Sequence, residues 1–141
     1  MNTCQVYKSE KSYKIVTESL STLGMGISTF PIHVLPINSD SEELKNSIVD
    51  CIKSSKDGLE MSPDSDEFAV HSKNVLKALQ EKSHTNLYKS SKGCSLEKHD
   101  WGYHLTLYKL YDPGKPRYGF VGDKFLSFEN VDQVVEFITG W

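Results

Sequence analysis

The five histidines are the residues of this chain that could most directly carry acid–base chemistry. His104-Leu105-Thr106 matches the His-x-Thr element of two-histidine phosphoesterases, in which each histidine handles one proton during phosphodiester cleavage. That chemistry needs two such elements facing one cleft, and no other histidine of the chain has a threonine two positions later. The sequence therefore favours an ordinary half-buried strand histidine at position 104, with a phosphoesterase as an alternative.

The sequence gives equally little support for a metal site or for nucleophilic catalysis. Cys94, His99 and His104 stand five apart, whereas structural zinc sites use four ligands, usually in tight pairs, and five-residue steps along a strand alternate between its faces. The chain has no Gly-x-Ser-x-Gly motif, and Gly24-Met25-Gly26 lacks the remaining residues of a phosphate-binding loop. We therefore predict no catalytic residue, no metal and no cofactor, and expect a protein that is not an enzyme.

The distribution of charge is the more informative feature. The net charge is −3, and 15 of the 16 basic residues are lysine, which disfavours a dedicated nucleic-acid reader built on arginine. Residues 57–72 contain five acidic residues and no lysine or arginine, whereas residues 73–124 carry a net charge of +5. The acidic segment is either a solvated loop or a docking surface for a basic partner.

Aromatic residues lie among the lysines of the basic block. They are Trp101, Tyr103, Tyr108, Tyr111 and Tyr118, with Lys98, Lys109, Lys115 and Arg117 between or beside them. Aromatic and basic residues on one sheet can stack bases and neutralise phosphates, which makes single-stranded nucleic-acid binding a second alternative. The same residue types are normal strand formers and common anchors of protein interfaces.

The elements that must position these residues begin with strands. Cys4–Lys8 and Ser12–Thr17 flank a polar connection, and a third extended run covers Ile27–Leu35. Pro31 lacks an N–H, so this strand should lie at an edge or carry a bulge. The capping box that starts at Ser39 and ends at Glu42 then predicts a helix over about 40–56. Its apolar stripe is Leu44, Ile48, Val49, Cys51 and Ile52, and we expect Cys51 to be a small buried hydrophobe.

The second half of the sequence predicts one more helix, several strands and a terminal helix. The helix lies within 66–82, or over 73–82 if Ser72 is its N-cap. Asn130 and Gln133 cap the last helix, with Val131, Val134, Val135 and Ile138 on its inner face. The predicted strands are Asn86–Ser90, Cys94–Asp100, Gly102–Tyr111, Arg117–Val121 and Lys124–Phe128, with turns at Asp112-Pro113-Gly114 and Gly122-Asp123-Lys124.

Together these elements predict one α+β domain over residues 1–141, with a single antiparallel sheet of about five to seven strands and two or three helices packed on it. Three cysteines far apart, no signal-peptide pattern and no apolar run long enough to span a bilayer favour a cytoplasmic protein with no membrane association.

The chain resembles the immunity proteins of bacterial contact-dependent growth inhibition systems. The features that carry the resemblance are Phe30–Pro36 followed by the capped helix, the run Trp101–Tyr108, the run Phe120–Phe128 and the closing helix. Some members of that family are similar in fold to Whirly-type single-strand binders, so the resemblance also implies a Whirly-like sheet.

The resemblance implies a cytosolic inhibitor that binds the C-terminal toxin domain of a large surface protein. Many such toxins are basic nucleases, for which an acidic surface would steer association. We therefore predict that the partner-binding residues are acidic, with the basic block 73–124 as the alternative interface and nucleic acid an unlikely partner. The predicted residues are Asp57, Glu60, Asp64, Asp66, Glu67, Glu129, Asp132 and Glu136.

Overall fold

One antiparallel sheet of six strands organises the chain. The computed structural model describes residues 1–111 and 119–141, so the predicted turn at Asp112-Pro113-Gly114 lies outside the described residues. The strands are β1 (Thr3–Lys8), β2 (Ser12–Leu20), β3 (Gly26–Pro36), β4 (Lys92–His99), β5 (Gly102–Tyr111) and β6 (Gly119–Phe128). Their spatial order is β3-β2-β1-β4-β5-β6, which confirms the predicted α+β class and the single antiparallel sheet.

The described residues form four helices, three of them long. They are α1 (Ser41–Ser54), α2 (Asp66–Leu79), α3 (His84–Ser90) and α4 (Val131–Gly140). The three long helices are those predicted from the sequence, and α2 follows the longer of the two predicted alternatives. No helix in the described ranges is long and apolar enough to cross a membrane.

The main core lies between one face of the sheet and the helices α1 and α4. The predicted stripe of α1 is confirmed, with Leu44, Ile48, Cys51 and Ile52 buried. From α4, Val134, Val135 and Ile138 are buried against the same cluster. Three buried thiols join this core, and burial raises the pKa of Cys51 to about 11 and that of Cys94 to about 12. Cys51 is therefore the inert, buried side chain that was predicted.

A smaller core lies on the opposite face of the sheet. There Val75 and Leu79 of α2 and Leu87 of α3 pack with Tyr7 and Val16 from the strands. Because α2 packs over β3 at one edge and α3 packs near Phe120 of β6, these helices leave part of this face uncovered.

Two helix predictions need correction. The N-cap of α1 is Asp40, not Ser39, because the Asp40 carboxylate accepts a hydrogen bond from the backbone N–H of Glu43 at 2.8 Å, and a charged acceptor is the stronger one. The predicted strand Asn86–Ser90 lies within α3, which begins where the Ser83 hydroxyl accepts from the Asn86 N–H. Leu87 is the one buried residue of α3, so no apolar stripe revealed a helix in the sequence.

Two strand predictions have different outcomes. The cis Phe30–Pro31 bond lies where the pairing of β2 with β3 shifts register, in an edge strand, as predicted for Pro31. The predicted turn at Gly122-Asp123-Lys124 is instead a bulge inside a continuous β6, since Leu107 pairs with Lys124 and Tyr108 with Gly122. Asp123 is the extra residue of that bulge.

The two ends of the sheet differ in how their charges are satisfied. We name the end where β2, β4 and β6 finish the open end, and the opposite one the closed end. At the closed end, Lys8 Nζ donates to the backbone oxygens of Ile138, Thr139 and Trp141, which ties β1 to the last turn of α4. On the second face near the same end, Lys14 Nζ lies 2.6 Å from Glu81 Oε1, in an ion pair with little exposure to solvent.

Candidate functional site

A groove of about 620 Å³ lies at the open end of the sheet. It is formed by the β4–β5 turn, the end of β6 and the first two turns of α4. We name it the Trp101 pocket, and its lining residues are Trp101, Ser127, Phe128, Glu129, Gln133, Glu136 and Phe137. Aromatic rings and two carboxylates thus face one concave surface, a combination suited to the side chains of a basic protein partner.

The β4–β5 turn presents Trp101 to solvent. The indole is 56% exposed and stacks on the ring of His99, with the ring centres 5.1 Å apart and the planes 10° from parallel. Gly102 follows with φ of +142°, and a Cβ there would collide with the backbone oxygen of Phe128. Only glycine therefore lets this turn lie against the end of β6 and form one wall of the pocket.

The first turn of α4 forms the other wall. The Asn130 side chain accepts from the Gln133 N–H at 3.0 Å, which confirms Asn130 as the N-cap. The Gln133 side chain accepts from the Glu129 N–H at 2.8 Å, one residue before the donor that the predicted capping box uses. Phe137 packs on Phe128 with ring centres 5.6 Å apart. These contacts hold the backbone rigid while the carboxylates of Glu129 and Glu136 stay exposed.

The structure places all eight predicted partner-binding residues at the surface, in two groups. Asp57, Glu60 and Asp64 lie in the connection between α1 and α2, with Asp66 and Glu67 in the first turn of α2. Glu129, Asp132 and Glu136 lie before and on α4.

Both acidic groups lie near the open end of the sheet. Leu59 forms backbone hydrogen bonds with Leu20 and Thr22, which fixes the first group beside the end of β2. The second group follows the end of β6, which is four strand spacings away, or about 19 Å. The structure therefore brings the groups to one end without bringing them into contact.

Partners within the chain divide the eight residues further. The Asp57 carboxylate lies 2.6 Å from the amino group of Met1, and Asp132 lies 3.1 Å from Lys45 Nζ. Within residues 1–111 and 119–141, no cation pairs with the other six, which are Glu60, Asp64, Asp66, Glu67, Glu129 and Glu136. These six carboxylates are available to a partner.

The structure separates some of the residues that the alternative interpretations of the sequence group together. Tyr103 is buried in the main core, whereas Tyr108 stacks on Phe120 on the opposite face, so these two rings cannot form one stacking platform. Tyr118, Lys115 and Arg117 lie outside the described residues. Cys94 points into the main core, away from His104, which stacks on Phe125 of the other face.

The sequence alone does not reveal the residues that give the pocket its shape. It predicts a strand that ends at Phe128 and gives no role to Phe128 or Phe137, and Trp101 is one of several aromatic residues in the basic block. The signal for the pocket is a tryptophan in a tight turn before glycine, followed by acidic residues at a helix start. That signal has meaning only when β5 is known to pair with β6.

Comparisons with known proteins show the fold. The chain is similar in structure to a Neisseria meningitidis protein of unknown function, with 14% sequence identity and a TM-score of 0.67 over 96% of this chain and 89% of the other. It is also similar to a chain of the CdiA-CT/CdiI toxin and immunity complex from Yersinia pseudotuberculosis, with 11% identity and a TM-score of 0.64 over 95% and 91%. No protein family and no curated protein sequence match the chain.

Proposed function

We propose that this chain is an immunity protein of a contact-dependent growth inhibition system. It binds the toxin domain of a cognate effector in the cytosol as a stoichiometric inhibitor, and the toxin is a basic nuclease. The chain neutralises the toxin by covering its active site or substrate-binding surface, and it catalyses no reaction itself.

The observation that carries this proposal is a set of six carboxylates, in two groups near the end of the sheet that also holds the Trp101 pocket, which pair with no cation among the described residues. Exposed acidic residues without internal partners contribute little to folding stability. They do create a field that accelerates the approach of a basic partner. The exposed Trp101 supplies an aromatic anchor of the kind that dominates the binding energy of protein interfaces.

The fold similarity supports the same proposal. One of the similar structures is a toxin and immunity complex, and the likeness covers nearly the whole of both chains. A complex formed through the open end would leave the basic side chains of the closed end facing solvent. We therefore propose an interface made by the carboxylates and Trp101 of the open end, and not by the lysines of the block 73–124.

Co-expression with the neighbouring toxin gene tests the proposal directly. The C-terminal domain of the protein encoded next to this chain is produced alone, with this chain, and with a Trp101→Ala, Glu129→Lys, Glu136→Lys variant. We expect the domain alone to stop growth, the natural chain to restore it with a one-to-one complex on size exclusion, and the triple variant to fail.

A matched control separates the site from general charge effects. Glu10 is exposed in the β1–β2 turn at the closed end, so Glu10→Lys should protect as well as the natural chain. Equal protection by the triple variant would remove the Trp101 pocket from the interface. Absence of any toxic neighbour, or no rescue by the natural chain, would refute the immunity role.

A further inference from the structure

The two walls of the Trp101 pocket differ in chemistry. One wall is the exposed indole of Trp101 in the β4–β5 turn. The other wall is a stripe of side chains spaced as one helix face, namely Glu129, Gln133, Glu136 and Phe137. A group that enters the pocket therefore meets an aromatic ring on one side and carboxylates on the other.

Trp101 is held in place from behind. One face of its indole stacks on the ring of His99, and Nε2 of His99 lies 2.6 Å from Oε1 of Glu97 in β4. The indole is still 56% exposed, so its other face and its edge are open to a partner. A ring that is already fixed loses little freedom when a ligand covers it, which favours binding. Trp101 is thus a preformed surface for a group that stacks on aromatic rings.

The two carboxylates of the pocket occupy separate places. Glu136 lies six residues after the N-cap Asn130, or about 9 Å along the helix axis, and Glu129 comes just before that cap. Gln133 lies between them, and its side-chain oxygen accepts from the Glu129 N–H at 2.8 Å. Among residues 1–111 and 119–141, no cation pairs with either carboxylate. Two cations, and not one, therefore match the pocket.

The chemistry of the walls favours arginine. The carboxylates exclude an anion, and a purely apolar group would bury their charge without a partner. A guanidinium stacks on an aromatic ring and pairs with a carboxylate at the same time, whereas an ammonium is compact and strongly hydrated. The methylene stem of arginine also covers apolar surface, which Phe128 and Phe137 provide here.

The size of the pocket and the spacing of its carboxylates indicate how the two arginines are linked. A volume of about 620 Å³ is that of a pocket for a small molecule, which is larger than one side chain. In an extended chain, residues i and i+2 point to the same side and lie about 7 Å apart. Two long side chains at that spacing can diverge to reach both Glu129 and Glu136.

We propose that the Trp101 pocket binds a short extended segment of the partner protein that carries two arginines separated by one residue. One guanidinium pairs with Glu136 and the other with Glu129, and one of the two stacks on Trp101. This assignment rests on the proposed function for the source of the segment, but the recognition chemistry can be tested on this chain alone.

The test uses the peptide acetyl-Arg-Gly-Arg-amide and three relatives in which citrulline, a neutral isostere, replaces the first, the second or both arginines. We expect the diarginine peptide to shift the amide signals of Glu129 and Gln133 and the indole N–H signal of Trp101 in NMR spectra, with a dissociation constant on the order of 1 mM. Each single-arginine peptide should bind about fivefold more weakly, the effect of one exposed ion pair. The dicitrulline peptide should leave the signals unchanged.

Three results of this titration would overturn the assignment. They are equal binding of all four peptides, no binding of the diarginine peptide, and a diarginine peptide that binds no more tightly than either single-arginine peptide.

Two variants connect each arginine to its carboxylate. Glu136→Gln should weaken the diarginine peptide about fivefold and leave the affinity of one single-arginine peptide unchanged. Glu129→Gln should also weaken the diarginine peptide and spare the other single-arginine peptide. If both variants spare the same peptide, or if either keeps the full diarginine affinity, the two arginines do not bind at separate carboxylates. Glu10→Gln at the closed end is the matched control and should change none of the dissociation constants.

A third variant tests the aromatic wall. Trp101→Leu should weaken the diarginine peptide about threefold, because it removes the ring on which a guanidinium stacks. All three replaced side chains are exposed, so we expect thermal unfolding of each variant to match that of the natural chain. Full diarginine affinity in Trp101→Leu would remove the indole from the site.

The outcome can be separated from that of the immunity role. If the toxin complex forms and neither Glu129→Gln nor Glu136→Gln weakens it, the segment assignment is wrong and the immunity role stands. If no toxin is found but the diarginine peptide binds as expected, the immunity role fails and the arginine-binding pocket stands.

Discussion

Two charged residues of β2, Lys14 and Glu18, lie on the same face of the sheet only four positions apart, yet their surroundings differ. Lys14 forms an ion pair with Glu81 just beyond α2, so its buried charge is fully matched within the fold. Glu18 is half-buried, lies across β1 from the carboxylate of Glu97, and has no cation beside it among residues 1–111 and 119–141. The fold therefore provides an ion-pair partner for the buried charge of Lys14, whereas the described residues provide none for Glu18.

The same contrast holds for the two ends of the molecule. At the closed end, the ammonium of Lys8 is bonded to three carbonyl oxygens. At the open end, Glu129 and Glu136 are exposed beside Trp101. We interpret the charges that have partners within the chain as structural and those without as binding groups. Substitutions of the two kinds of residue test this interpretation.

We expect the largest effect on stability when the ion pair between Lys14 and Glu81 is broken. Lys14→Met leaves the Glu81 carboxylate without its cation and should lower the free energy of unfolding by about 3 kcal/mol, measured by urea denaturation. The double variant Lys14→Met, Glu81→Met should recover most of that loss, because no unpaired charge remains. A loss below 1 kcal/mol in the single variant would contradict a structural role of the pair.

The next effect is expected in binding and not in stability. Trp101→Ala removes an exposed ring, so the free energy of unfolding should change by less than about 0.5 kcal/mol. The affinity for the toxin domain should fall by about 2 kcal/mol, the size of an interface anchor, when measured by calorimetry. A loss of stability that matches the loss of affinity would make Trp101 structural, against our interpretation.

A kinetic effect should follow for the acidic group beside α2. Reversing Asp64, Asp66 and Glu67 to lysine should slow association with a basic toxin by about tenfold at low salt, with little change in dissociation. Stopped-flow association at several salt concentrations measures this, and the difference should shrink as salt screens the field. An unchanged association rate would remove these three residues from the predicted interface.

The smallest effect has the opposite sign. Since the pKa of Glu18 is raised, the folded chain holds that proton more tightly than the unfolded chain, and ionisation of Glu18 destabilises the fold above its folded pKa. Glu18→Gln should therefore raise the free energy of unfolding at neutral pH, because the glutamine carries no charge to bury. This gain should fade as the pH falls through the folded pKa toward the ordinary glutamate value. Urea denaturation at several pH values measures it, and a loss of stability at neutral pH would show that the carboxylate is satisfied.

Local patterns predicted most of the fold. The apolar stripe of α1, the capping residues of α4 and the position of Pro31 in an edge strand each depend on residues close in sequence. The sequence did not predict α3 because Leu87 is its one buried residue and no apolar stripe marks a helix. It predicted a turn instead of the bulge at Asp123 because glycine and aspartate are common in turns.

The candidate site was less accessible to prediction. The exposed positions of Glu129 and Glu136 follow from the polar face of a predicted helix. The walls of the Trp101 pocket depend on the pairing of β5 with both β4 and β6, and no local pattern specifies that register.

The central position of β1 has a consequence for biosynthesis. The first strand of the chain pairs with β4, more than eighty residues later, and Lys8 of β1 is bonded to the last helix. Contacts so distant in sequence form slowly and cannot form while the ribosome still holds the later strands. A newly made chain therefore acquires its complete binding surface only after the residues of α4 have left the ribosome, so under the proposed immunity role protection depends on copies made earlier.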